Sequence, residues 1–297
     1  MAARFWRCVL GVELLVAAAI AWSWTAARHW PLPAALPIAL GAFVAMQFLL
    51  VGASFLAARC LMRGKLRLGS RWRAWVDESL QFLRVQFAMS APRGRDTRRW
   101  PPAGQVQRPL LLLHGILCNR AVWEPLCGRL AAAGFAPIVA PDFEPLNAGI
   151  DVYRASAERE VLAMHRHCRV PVTILAHSLG GLVARSLLAT LGPEVISGVV
   201  TVGSPHHGTA LARCLPLAAA RQMRPDSRWL GALNAAQEGQ FRVPLTSIYG
   251  RDDNLVVPAQ SAVLRGAEAC ELRGLGHFGL LRSRRALAAI VNALGRR

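Results

Sequence analysis

Ser178 follows a run of strand-forming residues, Val172-Thr173-Ile174-Leu175-Ala176-His177, and precedes Leu179-Gly180-Gly181 and a helix-compatible segment through Leu191. Its neighbours at minus two and plus two, Ala176 and Gly180, are both small. A serine on a sharp strand-to-helix turn is held in a strained backbone conformation with its hydroxyl presented, and only tiny side chains fit on either side of it. Alone, the five-residue pattern, with alanine in place of its first glycine, is equally compatible with a serine that caps a helix. The chemistry it offers is nucleophilic attack, which requires a base for the hydroxyl proton and a carboxylate to orient that base. Two acids follow, Asp252 and Asp253 in Gly250-Arg251-Asp252-Asp253-Asn254-Leu255-Val256, and then one histidine, His277, in Gly274-Leu275-Gly276-His277-Phe278-Gly279. Serine, acid and histidine thus occur in that order.

The surrounding pattern can bring them together. Pro109 to Leu117 carries four consecutive leucines bounded by proline and glycine, which suits a strand buried on both faces. A helix near 121–133, a strand at 136–140, a helix near 152–168, the strand at 172–175, the helix after Ser178 and a strand at 198–202 follow in regular alternation. Strands at 244–249 and 269–272 and a helix near 283–294 complete it. Such alternation predicts a mostly parallel sheet with helices on both faces, and it places each of the three residues after the carboxyl end of a strand, where ligands converge. The segment 210–242 interrupts the pattern. Long excursions of this kind are often lids or binding loops, so Leu215, Leu217, Met223, Trp229 and Leu230 are candidate substrate contacts; the alternative is a helical cover over the sheet.

Residues 108–297 resemble an α/β-hydrolase of the bacterial lipase and esterase type, in its membrane-associated lipase and deacylase branch. The resemblance rests on His114-Gly115, Ala176-His177-Ser178-Leu179-Gly180-Gly181, Gly203-Ser204-Pro205-His206-His207-Gly208-Thr209, the acidic turn from Gly250 to Pro258, and Gly276-His277. It implies a catalytic triad of Ser178, Asp253 and His277, because the family spacing Gly-x-x-Asp-x-x-Val maps onto Gly250, Asp253 and Val256; Asp252 stays open as the other acid. It also implies an oxyanion hole from the backbone amides of Ile116 and Leu179, and supporting roles for His114, His177, His206 and His207. Related secreted enzymes often hold calcium beside the catalytic histidine, but 274–285 contains no aspartate, so no metal is carried over. The implied activity is ester hydrolysis on lipid-like acyl substrates through an acyl-enzyme. A thioesterase or acyltransferase would use the same triad, and a membrane scaffold that keeps the fold without catalysis is the alternative of another class.

The amino-terminal third has a different character. The chain is 54% hydrophobic over 297 residues and has a positive mean hydropathy, so membrane segments are expected. Residues 9–27 contain Glu13 as their single charge, and 33–58 contain none; each is long enough to cross a bilayer. The expected organisation is a two-helix transmembrane hairpin over 1–65, an amphipathic helix and basic Pro/Gly linker over 66–107, and the hydrolase domain over 108–297. A cleaved signal peptide is the other reading of the first run. Glu13 lies near the start of its span, where headgroups can accommodate it. Trp22, Trp24 and Trp30 suit one membrane interface. Arg4 and Arg7 before the hairpin and Arg59, Arg63, Lys65, Arg67, Arg71 and Arg73 after it place both ends in the cytoplasm of a bacterial-type inner membrane. In the next stretch Trp72, Val76, Leu80, Leu83 and Phe87 mark one face of a helix that could lie on the membrane or pack on the domain.

Residues 1–108 hold fifteen Lys or Arg against four Asp or Glu, +11 of the formal +18. This charge lies beside a membrane span and comes with no nucleic-acid motif, so anionic lipid is the expected partner and nucleic acid is not. The seven cysteines form neither a CxxC pair nor a Cys/His cluster, and no phosphate loop or dinucleotide fingerprint appears; no cofactor is expected.

Overall fold

The computed structural model describes residues 1–62, 71–91, 108–237 and 239–297. Most of the basic stretch after the hairpin (Arg63, Lys65 and Arg67, with the side chain of Arg71) and the 92–107 linker lie outside them.

Three helices come first: α1 (Ala2–Ala27), α2 (Ala35–Leu61) and α3 (Arg71–Ser90). The sheet domain follows as β1 (Leu110–Leu113), α4 (Glu124–Ala132), β2 (Ile138–Val139), α5 (Ile150–Cys168), β3 (Val172–His177), α6 (Leu179–Leu188) and β4 (Ile196–Val202). After a 3-10 turn at Ala210–Cys214 come α7 (Ala218–Gln222), α8 (Arg228–Gln237), β5 (Leu245–Gly250), β6 (Glu268–Leu272), α9 (Gly279–Arg282) and α10 (Arg284–Gly295).

All six strands are parallel, in the order β2-β1-β3-β4-β5-β6. The four leucines of β1 are fully buried because strand alternation sends them to two separate cores. Leu111 and Leu113 join Ile174, Ala176, Tyr153, Val161 and Leu182 under α5 and α6. Leu110 and Leu112 join Leu175, Trp123, Leu126, Ile290 and Leu294 on the opposite face. Strand order reverses between β1 and β3, so the loops leaving these two strands part and open a crevice at their carboxyl ends.

The segment 210–242 is docked on the first core. Ala219, Ala220, Met223, Leu230 and Leu233 are buried in it, and Leu217 and Trp229 pack against its margin.

Two amino-terminal stretches, Ala2–Ala27 and Leu32–Leu61, are long and apolar enough to cross a membrane. Their packing separates them from soluble core helices, since only 22% and 17% of their most apolar windows are buried. Leu14, Leu15, Leu40, Leu49 and Leu56 point outward. Glu13 differs from expectation. It is buried and accepts from Gln47 Nε2 of α2 at 3.0 Å and Gln86 Nε2 of α3 at 2.6 Å, so interhelical pairing rather than headgroup access compensates its desolvation.

The packing of α3 also departs from its hydrophobic periodicity. Trp72, Leu80 and Phe87 remain 58%, 42% and 49% exposed, whereas Ala74, Glu78, Gln81, Val85 and Met89 are buried. The cause is tertiary: α3 lies against both α1 and α2 and also against α9 and the turn at Arg120–Trp123. Val85 and Met89 enter the second core. The face turned toward the domain is therefore built of small and hydrogen-bonding residues as well as apolar ones, while Trp72, Leu80 and Phe87 face outward and Val76 and Leu83 are half-buried.

Candidate active site

Ser178 occupies the turn between β3 and α6 with φ 56° and ψ −124°. A non-glycine residue at positive φ is strained, and it persists only where its surroundings leave no alternative. Here the Ser178 amide donates to the Val202 carbonyl at 2.9 Å, and α6 is pressed onto the end of β1. A Cβ at Gly180 would overlap the Leu113 carbonyl, so that close approach requires glycine, while a single methyl at Ala176 is accommodated in the sheet.

Asp253 and His277 are buried, 5% and 2% exposed, and they meet. His277 Nδ1–H donates to Asp253 Oδ2 at 2.9 Å and lies 3.1 Å from Oδ1, which leaves Nε2 as the free basic nitrogen. Asp253 Oδ1 also accepts from the amides of Leu255 at 2.8 Å and Val256 at 2.9 Å, so the carboxylate is fixed from both sides. Asp252, the other candidate, points away and accepts from the Gly274 amide at 2.8 Å. Burial draws the His277 pKa down, but the charge of Asp253, the hydrogen bond to it and the charge of Glu78 outweigh this, and the net direction is upward.

Ser178 and His277 line one cavity of about 100 Å³ together with Gly115, Ile116, Leu211, Leu215, Met223, Val256 and Phe278. The walls are mostly apolar. The Ile116 and Leu179 amides, at the ends of β1 and β3, have no acceptor among the described residues, and the second belongs to the first turn of a helix whose dipole favours negative charge. Of the five contacts expected from 210–242, Leu215 and Met223 reach the cavity. Leu217, Trp229 and Leu230 do not: Leu230 is 1% exposed in the core below α6, Leu217 packs at its edge, and the Trp229 indole donates to Asp151. Helical periodicity marks these three as apolar but cannot tell a face turned to the sheet from one turned to a ligand.

Of the four other histidines beside the motifs, His114, His206 and His207 make hydrogen bonds in their loops. His114 accepts the Phe143 amide at Nε2, 3.0 Å, and its Nδ1 lies 2.9 Å from the Gly115 carbonyl. His206 Nε2 is 3.0 Å from Thr201 Oγ1, and burial lowers its pKa well below the usual value. His207 is tied through its amide to the Ser261 carbonyl. The ring of His177 packs 4.6 Å from that of His277 and is kept neutral by burial and by that neighbour.

Sequence reasoning missed Glu78. This α3 carboxylate is buried and accepts from the amides of Phe278 at 2.8 Å (Oε1) and Gly279 at 2.9 Å (Oε2), the two residues after His277. Burial raises its pKa to about 7 against the opposing pull of those amides and of His277. The available signal was Gly276 and Gly279 flanking the histidine. A Cβ at Gly276 would lie 2.6 Å from Glu78 Cδ, and one at Gly279 would lie 3.2 Å from Asp77 Oδ2.

No group of histidine, cysteine or acidic side chains suited to a metal occurs among the described residues.

Residues 151–266 match the family model of the PGAP1-like alpha/beta domain. No curated protein sequence matches the chain. Among solved structures, lipase B of Aspergillus fumigatus is similar at a TM-score of 0.57 and 19% identity, over 66% of this chain and 54% of the lipase. The chain thus spans about half the length of that relative. Lipase BlEst2 of Bacillus licheniformis in its mature form matches at 0.57 and 14%, over 68% of this chain and 99% of its own. Phospholipase PlaB of Legionella pneumophila matches at 0.54 and 13%, over 64% and 59%. The likeness at these identities is one of fold, and the fold is that of the α/β-hydrolases.

Proposed function

We propose that this chain, an α/β-hydrolase by fold, is a membrane-anchored serine hydrolase that cleaves lipid-like acyl esters through Ser178, His277 and Asp253. The observation that carries the reading is convergence: a serine on a strained turn, a histidine bonded to a buried carboxylate and Ile116 border one apolar cavity, and the Leu179 amide directly follows the serine. Ser178 Oγ attacks the ester carbonyl while His277 Nε2 takes its proton, and Asp253 holds Nδ1–H and stabilises the imidazolium. The Ile116 and Leu179 amides receive the oxyanion. His277 then protonates the leaving alcohol, and water repeats the sequence on the acyl-enzyme. The test is labelling by a fluorophosphonate probe, expected in the wild type and lost in Ser178→Ala; labelling that persists in the variant would remove Ser178 from the mechanism. Turnover of matched oxygen and thiol esters then separates an esterase from a thioesterase.

The same reading makes α1 and α2 a two-pass anchor, with Trp22, Trp24 and Trp30 at the far interface and both chain ends in the cytoplasm. Basic residues after α2 would then lie on anionic lipid. Support for a substrate taken from the membrane comes from the cavity wall, because the Ala210–Cys214 turn that supplies Leu211 and Ala212 rests against α2. A reporter fused after Arg297 is expected to read as cytoplasmic, and one placed between Ala27 and Pro31 as external. A carboxy terminus on the far side would overturn the two-pass topology.

A further inference from the structure

We propose that Glu78 is a positioning residue for His277, so that the helix following the hairpin anchor holds the catalytic histidine in register. The inference rests on the hydrolase reading and goes beyond it by making α3 part of the active site.

The geometry is that of a clamp on a loop. His277 lies at the head of Gly276-His277-Phe278-Gly279, and its imidazole can reach Asp253 on one side and the cavity on the other only if this backbone is held still. Glu78 holds it by accepting two successive amides with separate carboxylate oxygens. The glycines on both sides of His277 and Phe278 leave room for the acids of α3, since a side chain at Gly276 would run into Glu78 and one at Gly279 would press on Asp77. A second, separate tie runs from α2 of the anchor. Asn254 Oδ1 accepts the His277 amide at 3.1 Å, and Asn254 Nδ2 donates at 2.8 Å to Ser54 Oγ of α2. Both helices that follow the hairpin turn therefore reach the histidine loop.

The charged and titratable groups around His277 are Asp253 after β5, Glu78 and Asp77 on α3, and the neutral His177 ring at the end of β3. Glu78 supplies charge as well as position. Where it is ionised its negative charge favours the imidazolium, and because burial lifts its own carboxyl to about 7 it titrates in the same range as His277; its loss therefore lowers the pair's apparent histidine pKa and moves the acidic limb of kcat/KM to lower pH.

Two variants of the full-length protein separate the two contributions. Glu78→Gln keeps the shape, but an amide accepts through one oxygen and turns its NH₂ toward the other N–H. It should lower kcat ~10- to 100-fold with little change in KM. The acidic limb should move down by roughly half a pH unit or more. Glu78→Asp keeps the charge but is one methylene too short to span both amides; it should lower kcat comparably and leave the limb in place. Rates are expressed per fluorophosphonate-reactive site, so that misfolded protein is not counted. Wild-type rates and limbs in both variants, or a loss confined to the number of reactive sites, would show that Glu78 serves only stability and would overturn the proposal. Absence of Ser178-dependent labelling in the wild type would overturn the hydrolase reading, and this inference with it.

Discussion

Asp253→Asn is expected to lower kcat by ~10³- to 10⁴-fold, whereas Asp252→Asn should stay within about threefold of the wild type, the range of an exposed-turn change. The two aspartates are adjacent in sequence, and the difference lies in what each oxygen faces. Both Asp253 oxygens lie on His277 Nδ1, and Oδ1 also takes two backbone amides. Asparagine fits that space, but if its carbonyl stays on the amides its NH₂ meets the imidazole. The proton then moves to Nε2, and the nitrogen that must accept from Ser178 becomes a donor. Asp252 sits on a half-exposed turn and accepts the Gly274 amide, away from the imidazole. A soluble short-chain ester measures both variants without interfacial effects. Equal and mild losses would remove Asp253 from the triad.

How much of this was legible in the sequence varies with the physics involved. The sheet could be read because β1 is four leucines with no polar alternation, a pattern that only burial on both faces supports. The three proposed catalytic residues could be singled out because each follows a strand, and chain order then sets which end of the sheet they share. Residue periodicity reports which side chains avoid water and is silent about what shields them. Hence Trp72, Leu80 and Phe87 of α3 share an apolar face, as expected, yet face outward, while Glu78 on the opposite side is buried. Trp229 and Leu230, candidate contacts with the sheet cover as their alternative, meet Asp151 and the core. Glu13 illustrates the converse, since its partners come from two other helices and no local spacing announces them. The same holds for Glu78, whose partners lie 200 and 201 residues away.

Arg185→Met is expected to destabilise the domain by about 3–5 kcal/mol, the cost of leaving several largely buried acceptors without a donor at ~1–3 kcal/mol each. Arg185 sits on α6, 1% exposed, with no carboxylate among its partners in the described residues. Burial lowers its pKa to about 10, which still leaves it charged at neutral pH. The charge is held by neutral oxygens instead. Nε donates to Gln237 Oε1 at 2.8 Å, one Nη to Asn234 Oδ1 at 2.9 Å and the other to the His206 carbonyl at 3.2 Å, while Gln237 Nε2 returns a bond to the Arg185 carbonyl at 2.9 Å. Those partners belong to α8 and to the 203–209 turn, whose Pro205 and Thr209 line the cavity, so one guanidinium fastens the 210–242 segment and the turn to the nucleophile helix. Methionine fills most of the volume but leaves three acceptors without a donor, and it is this unmet desolvation that costs stability. Thermal unfolding in detergent should show a fall in Tm of roughly 10 °C for a domain of this size. Adding Gln237→Leu to Arg185→Met should recover part of the loss, because it removes one of the orphaned acceptors. Additive losses in that double-mutant cycle would mean that the two side chains do not act as a unit.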